Sequence, residues 1–193
     1  LSDARRRLAF EELFLLAVGL QGFRKRREAD SADALDDVDM SPFYDALPFT
    51  LTGAQRRCID EAVSDMRSGV PMNRLCQGDV GSGKTMVAAA CVYFCVRNGR
   101  QAALMAPTEL LARQHYAGLS ALLTPLGVRA ALLTGSVSAK EKRAVRERAA
   151  AHELDFLIGT HALISDGVAF DALGLASHSW SENRKEAVPN LRH

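Results

Sequence analysis

The sequence predicts an α/β domain: a mainly parallel sheet flanked by helices. Three observations point there. Apolar strand-like runs at 73–77, 101–106, 128–134 and 154–159 alternate with helix-like stretches at 84–97, 108–123 and 138–151. Helices of that length between strands are the crossovers of right-handed βαβ units. The residues with distinctive chemistry fall where the strands end, which is where open parallel sheets hold ligands. With 193 residues, 48% hydrophobic and 24% charged, the chain suits one core with an appendage and is too apolar for a wholly disordered protein.

Residues 1–27 carry Leu8, Phe10, Leu13, Phe14, Leu16, Ala17 and Leu20 at helical spacing. Arg24, Lys25, Arg26 and Arg27 follow, as a helix end favours cations, or as a phosphate contact. The segment 28–47 reads as an acidic linker. Glu28, Asp30, Asp33, Asp36, Asp37, Asp39 and Asp45 occur there without a basic residue, and Ser41-Pro42 adds a breaker. The next helix has Thr52 as its N-cap and Ile59, Ala62, Val63 and Met66 on its apolar face. Gly69 ends it, with Pro71 just beyond. The strands and helices of the alternating region then follow. Asp171–Leu175 begins a further strand, but from Ala176 through Trp180 to His193 the chain turns polar and aperiodic.

There are 24 Lys+Arg against 23 Asp+Glu, a net charge of +1, so nucleic-acid binding needs a local patch. No apolar run approaches the roughly 18 residues that span a bilayer. Cys58, Cys76, Cys91 and Cys95 form no C-x-x-C pair and have no His at zinc-ligand spacing. Cys91 and Cys95 share a helix face as small core residues, the alternative being a redox or metal role. A start at Leu1 followed by arginines is neither a signal peptide nor a natural beginning, and the expectation is a piece of a longer cytosolic protein.

Gly78-Asp79-Val80-Gly81-Ser82-Gly83-Lys84-Thr85 matches G-x-x-x-x-G-K-[ST] between a predicted strand and a predicted helix. Gly81 and Gly83 permit backbone conformations that let successive N–H groups face phosphate oxygens. The positive end of the helix faces the same anion. Lys84 reaches the β- and γ-phosphates, and the Thr85 hydroxyl holds Mg²⁺. The expectation is a P-loop that binds a nucleoside triphosphate, with Gly78, Gly81, Ser82, Gly83, Lys84 and Thr85 as its ligands.

Upstream, Phe49 can stack on a base and Gln55 can read an adenine edge, or they are a core Phe and a surface Gln. Pro107, Thr108 and Glu109 begin a helix, where Thr108 is a natural N-cap and the helix end can also hold a nucleic-acid phosphate. Thr134-Gly135-Ser136 ends one strand, and Gly159-Thr160-His161 ends another. Each alone is an ordinary loop. Together they line one sheet edge with hydroxyls and amides suited to a phosphodiester strand.

In this order and spacing, ALPFTLTGAQ, PMNRLCQGDVGSGKT, ALMAPTELLARQHY, ALLTGS and IGTHALI resemble the first motor domain of the RecG family, within helicase superfamily 2. The likeness covers residues 4–175, and 8–27 resembles that family's helical connection to an N-terminal wedge domain. It implies an incomplete RecA-like P-loop NTPase fold at 48–175. It also implies ATP and Mg²⁺ as cofactors, and DNA forks and branched junctions as partners in a bacterial cytoplasm. The implied activity is ATP hydrolysis coupled to DNA remodelling in repair and recombination. Phe49 and Gln55 become the adenine element, the loop becomes the catalytic motif through Lys84 and Thr85, and Pro107–Glu109, Thr134, Gly135 and Gly159–His161 become DNA contacts.

The sequence departs from that pattern after Leu173-Gly174-Leu175. The family continues with an apolar strand and Asp-Glu-Gln-His, whose first two members order Mg²⁺ and the attacking water. Asp166, Asp171 and Glu182 do not replace them. The abrupt loss of pattern suggests a frameshift, although the shifted register does not restore the first Asp; a natural truncation or a pseudogene is the alternative. The expectation is that this chain, without that box, a second motor domain or a wedge domain, is inactive alone as a helicase. The competing readings are a small-molecule ATPase or kinase on the same loop, and a non-catalytic ATP- or DNA-binding module.

Overall fold

The computed structural model describes residues 31–79, 81–165 and 167–179. The expected helix at 1–27 with its basic run, Val80, Asp166 and the tail from Trp180 to His193 lie outside the described residues. The chain divides into two compact units, one of Leu1–Asp36 with Glu61–Leu75 and one of Asp37–Asp60 with Cys76–His193.

Among the described residues, the larger unit is built on a four-stranded, all-parallel sheet in the order β2-β3-β1-β4. Its strands are β1 (Gln101–Met105), β2 (Ala130–Leu133), β3 (Phe156–Gly159) and β4 (Leu173–His178). Its elements also include α1 (Ser41–Asp45), the start of α2 (Gly53–Met66), α3 (Lys84–Arg97), α4 (Glu109–Leu123), α5 (Ala139–Ala150) and α6 (Ala162–Ser165). The βαβ reading therefore holds, and the long helices fall within a residue or two of where the periodicity put them. Thr108 caps α4 by accepting from the Leu111 N–H at 3.3 Å. Ser138 and Glu141 form a reciprocal capping box on α5. Each such cap satisfies donors that a helix end otherwise leaves open.

Burial follows from topology. Helix α3 has a continuous buried run from Ala89 to Cys95, as a helix apolar all round requires. Leu133, Leu154, Leu157 and Ala149 pack with Met105 and Leu163 into one apolar cluster. Gln101, a polar residue at the start of the central strand, is fully buried. Its Nε2 donates to the carbonyls of Ala149 and Leu154 at 2.9 and 2.6 Å, and its Oε1 accepts from Ala172 N–H at 3.1 Å. A buried amide with three partners is tolerated where an unpaired one costs about 1–3 kcal/mol.

In the smaller unit, residues 32–35 run beside the end of α2. Ala32 N–H donates to Gly69 O at 2.9 Å, and Leu35 N–H to Met66 O at 3.1 Å. Gly69 has φ +72°, the left-handed conformation expected of a residue that ends a helix.

Three expectations are corrected. The run 73–77 is not a strand: residues 71–79 carry no regular structure, and Leu75 is 79% exposed. A strand needs a neighbour for its ladder, and no described strand pairs with this segment. Its Arg74 is committed instead to Glu61 and Asp65 on α2. The acidic linker 28–47 is not wholly an exposed loop. Ser41-Pro42 starts α1, since proline in the first turn has no needed N–H to lose. Phe43 is fully buried there, stacked on Tyr93 at 5.7 Å. Regular structure also does not stop at Ala176. Strand β4 continues through Ala176, Ser177 and His178, paired with β1 to Met105.

Candidate nucleotide and nucleic-acid site

The glycine-rich loop enters α3 through two left-handed residues, Gly81 at φ +83° and Gly83 at φ +82°. Gly83 stands at the helix N-cap without a side chain to offer, so no capping side chain competes with an anion at the start of α3, where Met86 N–H already donates to Gly83 O at 2.9 Å. Space also demands glycine. A Cβ on Gly83 would lie 2.2 Å from Gln55 Nε2, and one on Gly78 would lie 2.7 Å from Ser82 Oγ. Ser82 N–H donates to Asp79 O at 3.1 Å, closing the turn. Lys84 Nζ donates to the carbonyls of Gly78 and Asp79 at 2.5 and 2.8 Å, so the ammonium sits inside the loop. Thr85, one residue on, is half-buried at the start of the helix.

Gln55 holds this loop from α2. Its Nε2 donates to Ser82 O at 2.8 Å. Its Oε1 accepts from Thr52 N–H at 2.8 Å, while Thr52 Oγ1 accepts from Gln55 N–H at 3.2 Å, a second capping box. Phe49 stands six residues before Gln55. It is half-exposed and lines a cleft of about 640 Å³ with Tyr44, Leu47, Pro48, Leu51 and Arg56. Arg56 lies over the Tyr44 ring, 3.8 Å from its centroid. Phe49 thus lines the cleft, and the Gln55 amide is bonded to the loop at Ser82. Tyr44 and Arg56 escaped the sequence reading because only the turn at Pro48 brings them together. Burial pushes the Tyr44 phenol up, against the pull of the Arg56 charge.

The second group of candidates does converge. Gly159 aligns with Leu133 on one side and Met105 on the other, so three strands end level. Thr134 and Gly135 therefore come beside Thr160, and Thr160 N–H donates to Leu133 O at 3.3 Å. Pro107 and Thr108 are exposed beyond β1, His161 is exposed, and Thr134 is fully buried. Ser136 Oγ donates to Glu109 Oε1 and accepts from Arg113 Nη2 at 2.9 Å, with Thr134 Oγ1 at 3.3 Å. Arg113 also donates to Glu109 at 2.8 Å. Hydrogen bonds from Ser136 and Arg113 hold the Glu109 carboxyl below the usual range. Arg113 was missed in the sequence, although its i, i+4 spacing from Glu109 was a usable signal. Gly159 has a packing role of its own, since a Cβ there would lie 2.1 Å from Leu133 O.

Strand β4 ends in the same row. Ser179 N–H donates to Met105 O at 2.8 Å, and Ser179 Oγ lies 2.8 Å from His115 Nε2. No cluster of three His, Cys, Asp or Glu suited to a metal occurs among the described residues. No helix among them is long and apolar enough to cross a membrane.

Comparison with known proteins agrees with this architecture. A family model described as DEAD/DEAH box helicase matches residues 52–186. The chain is 47% identical over 175 residues to the ATP-dependent DNA helicase RecG of Bacillus subtilis (strain 168), covering 89% of this chain and 26% of that protein. It is 44% identical over 192 residues to RecG of Staphylococcus aureus (strain NCTC 8325 / PS 47), covering 96% and 28%. The solved structure of RecG bound to a three-way DNA junction is similar at a TM-score of 0.86 and 40% identity, over 96% of this chain and 26% of that one. The chain spans about a quarter of the length of the curated relatives it matches.

Proposed function

Because the chain belongs to the DEAD/DEAH box helicase family, we propose that it is the ATP-binding part of a bacterial cytoplasmic DNA helicase that remodels forks and branched junctions. Its likeness to RecG over most of its own length supports the assignment. The observation that carries the reading is the loop itself: two left-handed glycines, an uncapped helix start and Lys84 in the cradle.

In this mechanism, ATP enters and Lys84 exchanges the carbonyls of Gly78 and Asp79 for phosphate oxygens. The N–H groups of Gly81, Gly83 and Lys84, joined by that of Ser82 once it leaves Asp79 O, would surround the same phosphates, which become the anion the helix end favours. One hydroxyl suits Mg²⁺, which keeps several waters, and Thr85 would supply it. When bound, Mg²⁺ neutralises charge on the β- and γ-phosphates. Gln55 keeps the loop in register with α2, and the Phe49 cleft with Tyr44 and Arg56 takes the base.

A DNA strand would cross the row of strand ends. The start of α4 at Pro107, Thr108 and Glu109 offers N–H groups to a backbone phosphate. Gly135, Thr160 and His161 would continue the track, while Thr134 and Gly159, both buried, would shape the strand ends behind them. The Arg113 guanidinium offsets the charge of Glu109, which would otherwise repel a phosphate. A second reading, a module that binds ATP and DNA without efficient turnover, is favoured by one observation. Strand β4 ends at His178, and Ser179 follows it, where no carboxylate stands to order a metal and water.

The test is titration of the chain with a fluorescent ATP analogue, followed by phosphate release with and without forked DNA. Binding that Lys84→Ala weakens at least about tenfold, the effect of losing about 1.4 kcal/mol, supports the nucleotide assignment. DNA-stimulated release favours the helicase motor, and binding without release favours the module. Failure of the chain to bind the analogue would sink both.

A further inference from the structure

Four cysteines are present, and the fold sorts them into two pairs. Cys91 and Cys95 are buried in α3. Burial pushes the Cys95 thiol up to about 12, which leaves it inert. Cys58 and Cys76 differ: Cys58 is half-buried, Cys76 is exposed, and their Sγ atoms lie 3.9 Å apart. Eighteen residues separate them, so no short motif announces the pair.

Their position matters more than their distance. Cys58 is one helical turn after Gln55 on α2, and Cys76 is two residues before Gly78. Gln55 already holds the far end of the phosphate loop at Ser82. A bond between the two sulfurs would pin the near end to the same helix. A disulfide needs about 2.05 Å between sulfurs, so they must close by roughly 1.9 Å. The segment 71–79 carries no ladder to oppose that movement.

We propose that Cys58 and Cys76 form a reversible disulfide that clamps the phosphate loop to α2 and weakens nucleotide binding. The link is a chemical claim about the two thiols, and its effect on nucleotide rests on the function proposed above. Peroxide is the oxidant class. The Cys76 thiolate attacks one peroxide oxygen, giving a sulfenic acid and, after protonation of the leaving hydroxide, water. The Cys58 sulfur then attacks the Cys76 sulfur and expels the sulfenic oxygen as a second water. Two thiols and one hydrogen peroxide become one disulfide and two waters, with two electrons passing from sulfur to oxygen. A small dithiol reverses the link by exchange. Lys84 favours the Cys76 thiolate, while burial and Cys58 oppose it more strongly. Oxidation should therefore quicken as the pH rises.

The clamp acts on the loop's freedom. Phosphate binding requires Lys84 to leave the carbonyls of Gly78 and Asp79 and the loop N–H groups to turn. A loop fixed at both ends resists that change. Transient regulatory disulfides of this kind are the sort found in reducing compartments.

The experiment uses the full chain, reduced, treated with hydrogen peroxide, quenched with catalase and alkylated. Non-reducing peptide mass spectrometry should find a Cys58–Cys76 peptide lighter than its parts by two hydrogens. Affinity for the fluorescent ATP analogue should fall about fivefold or more, the low end of coupling between sites, and dithiothreitol should restore it. Cys58→Ser and Cys76→Ser should bind as the reduced chain does and ignore peroxide; Cys76→Ala serves if the serine variant melts early. Absence of the linked peptide, or intermolecular dimers through Cys76 alone, would overturn the link. A link without loss of affinity would overturn the clamp. If the link forms but the reduced chain never bound the analogue, the nucleotide reading fails while the disulfide stands.

Discussion

Gln55 Nε2 and the carbonyl oxygen of Ser82 meet at 2.8 Å across 27 residues of chain, and the same side chain caps the helix that carries it. The two duties can be separated. Gln55→Glu keeps an oxygen for Thr52 N–H but loses the donor to Ser82. Gln55→Ala loses both. The glutamate variant should melt as the parent does yet bind nucleotide more weakly. The alanine variant should also lose about 1 kcal/mol of stability, the worth of a helix cap. Thermal melts beside analogue titrations would separate them, and equal stability of the two variants would refute the capping half.

Gly83 is constrained twice. Its φ of +82° disfavours any β-carbon, and the space is taken by Gln55 Nε2 at 2.2 Å. Gly83→Ala should cost about 1–3 kcal/mol in urea unfolding, as backbone strain of this kind does, and should displace the loop. Adding Gln55→Ala should recover the steric part only. Full recovery in the double variant would mean that the backbone conformation carries no strain.

Gly159→Ala distinguishes packing from DNA contact. The new Cβ would meet a backbone oxygen, Leu133 O, at 2.1 Å, and backbone cannot rotate away. Overpacking typically costs about 1–3 kcal/mol, and a clash with a strand carbonyl belongs at the upper end. Urea unfolding should show the loss without any nucleic acid present. A variant of parental stability that nonetheless lost DNA binding would assign Gly159 to the nucleic-acid track instead.

Acid should weaken the β2–β3 side of the sheet through Asp155. Burial raises its carboxyl, but hydrogen bonds and charge from Arg129 outweigh it, so the group titrates below the ordinary value. Arg129 donates to both carboxylate oxygens, at 2.9 and 2.6 Å. A depressed folded-state value means that this contribution is fully present above about pH 4, where an unfolded Asp ionises. It is lost as the pH falls through the folded-state value. Unfolding measured from pH 6 down to pH 2 should show less acid sensitivity in Asp155→Asn than in the parent. Parallel curves would remove the pair from the acid response.

Legibility in the sequence tracked the range of the interaction. Helices α3, α4 and α5, with the cap of α4 at Thr108, were readable because caps and periodicity act within a few residues. The glycine loop was readable for the same reason. The run 73–77 has a strand's local pattern, but a strand depends on a neighbour that no local pattern reports. Phe43 looked like part of a loop because only Tyr93, fifty residues on, gives it a place to pack. Arg113, Tyr44 with Arg56, and Cys58 with Cys76 all act through distant partners. Gln101 read as an ordinary strand residue, and nothing nearby announces the carbonyls of Ala149 and Leu154 that it needs.

The strand order β2-β3-β1-β4 also carries a consequence for biosynthesis. Strand β1 is the first of the four to leave the ribosome, yet its two neighbours are the last two made. Both of its edges stay bare until residues 156–178 emerge. At about 5–20 residues per second, the nascent chain carries an unpaired apolar strand for several seconds. During that time the Gln101 amide has no partner, so early collapse around β1 would bury a polar group at a cost. The three bonds that satisfy this amide in the finished sheet all come from residues made at least 48 positions later.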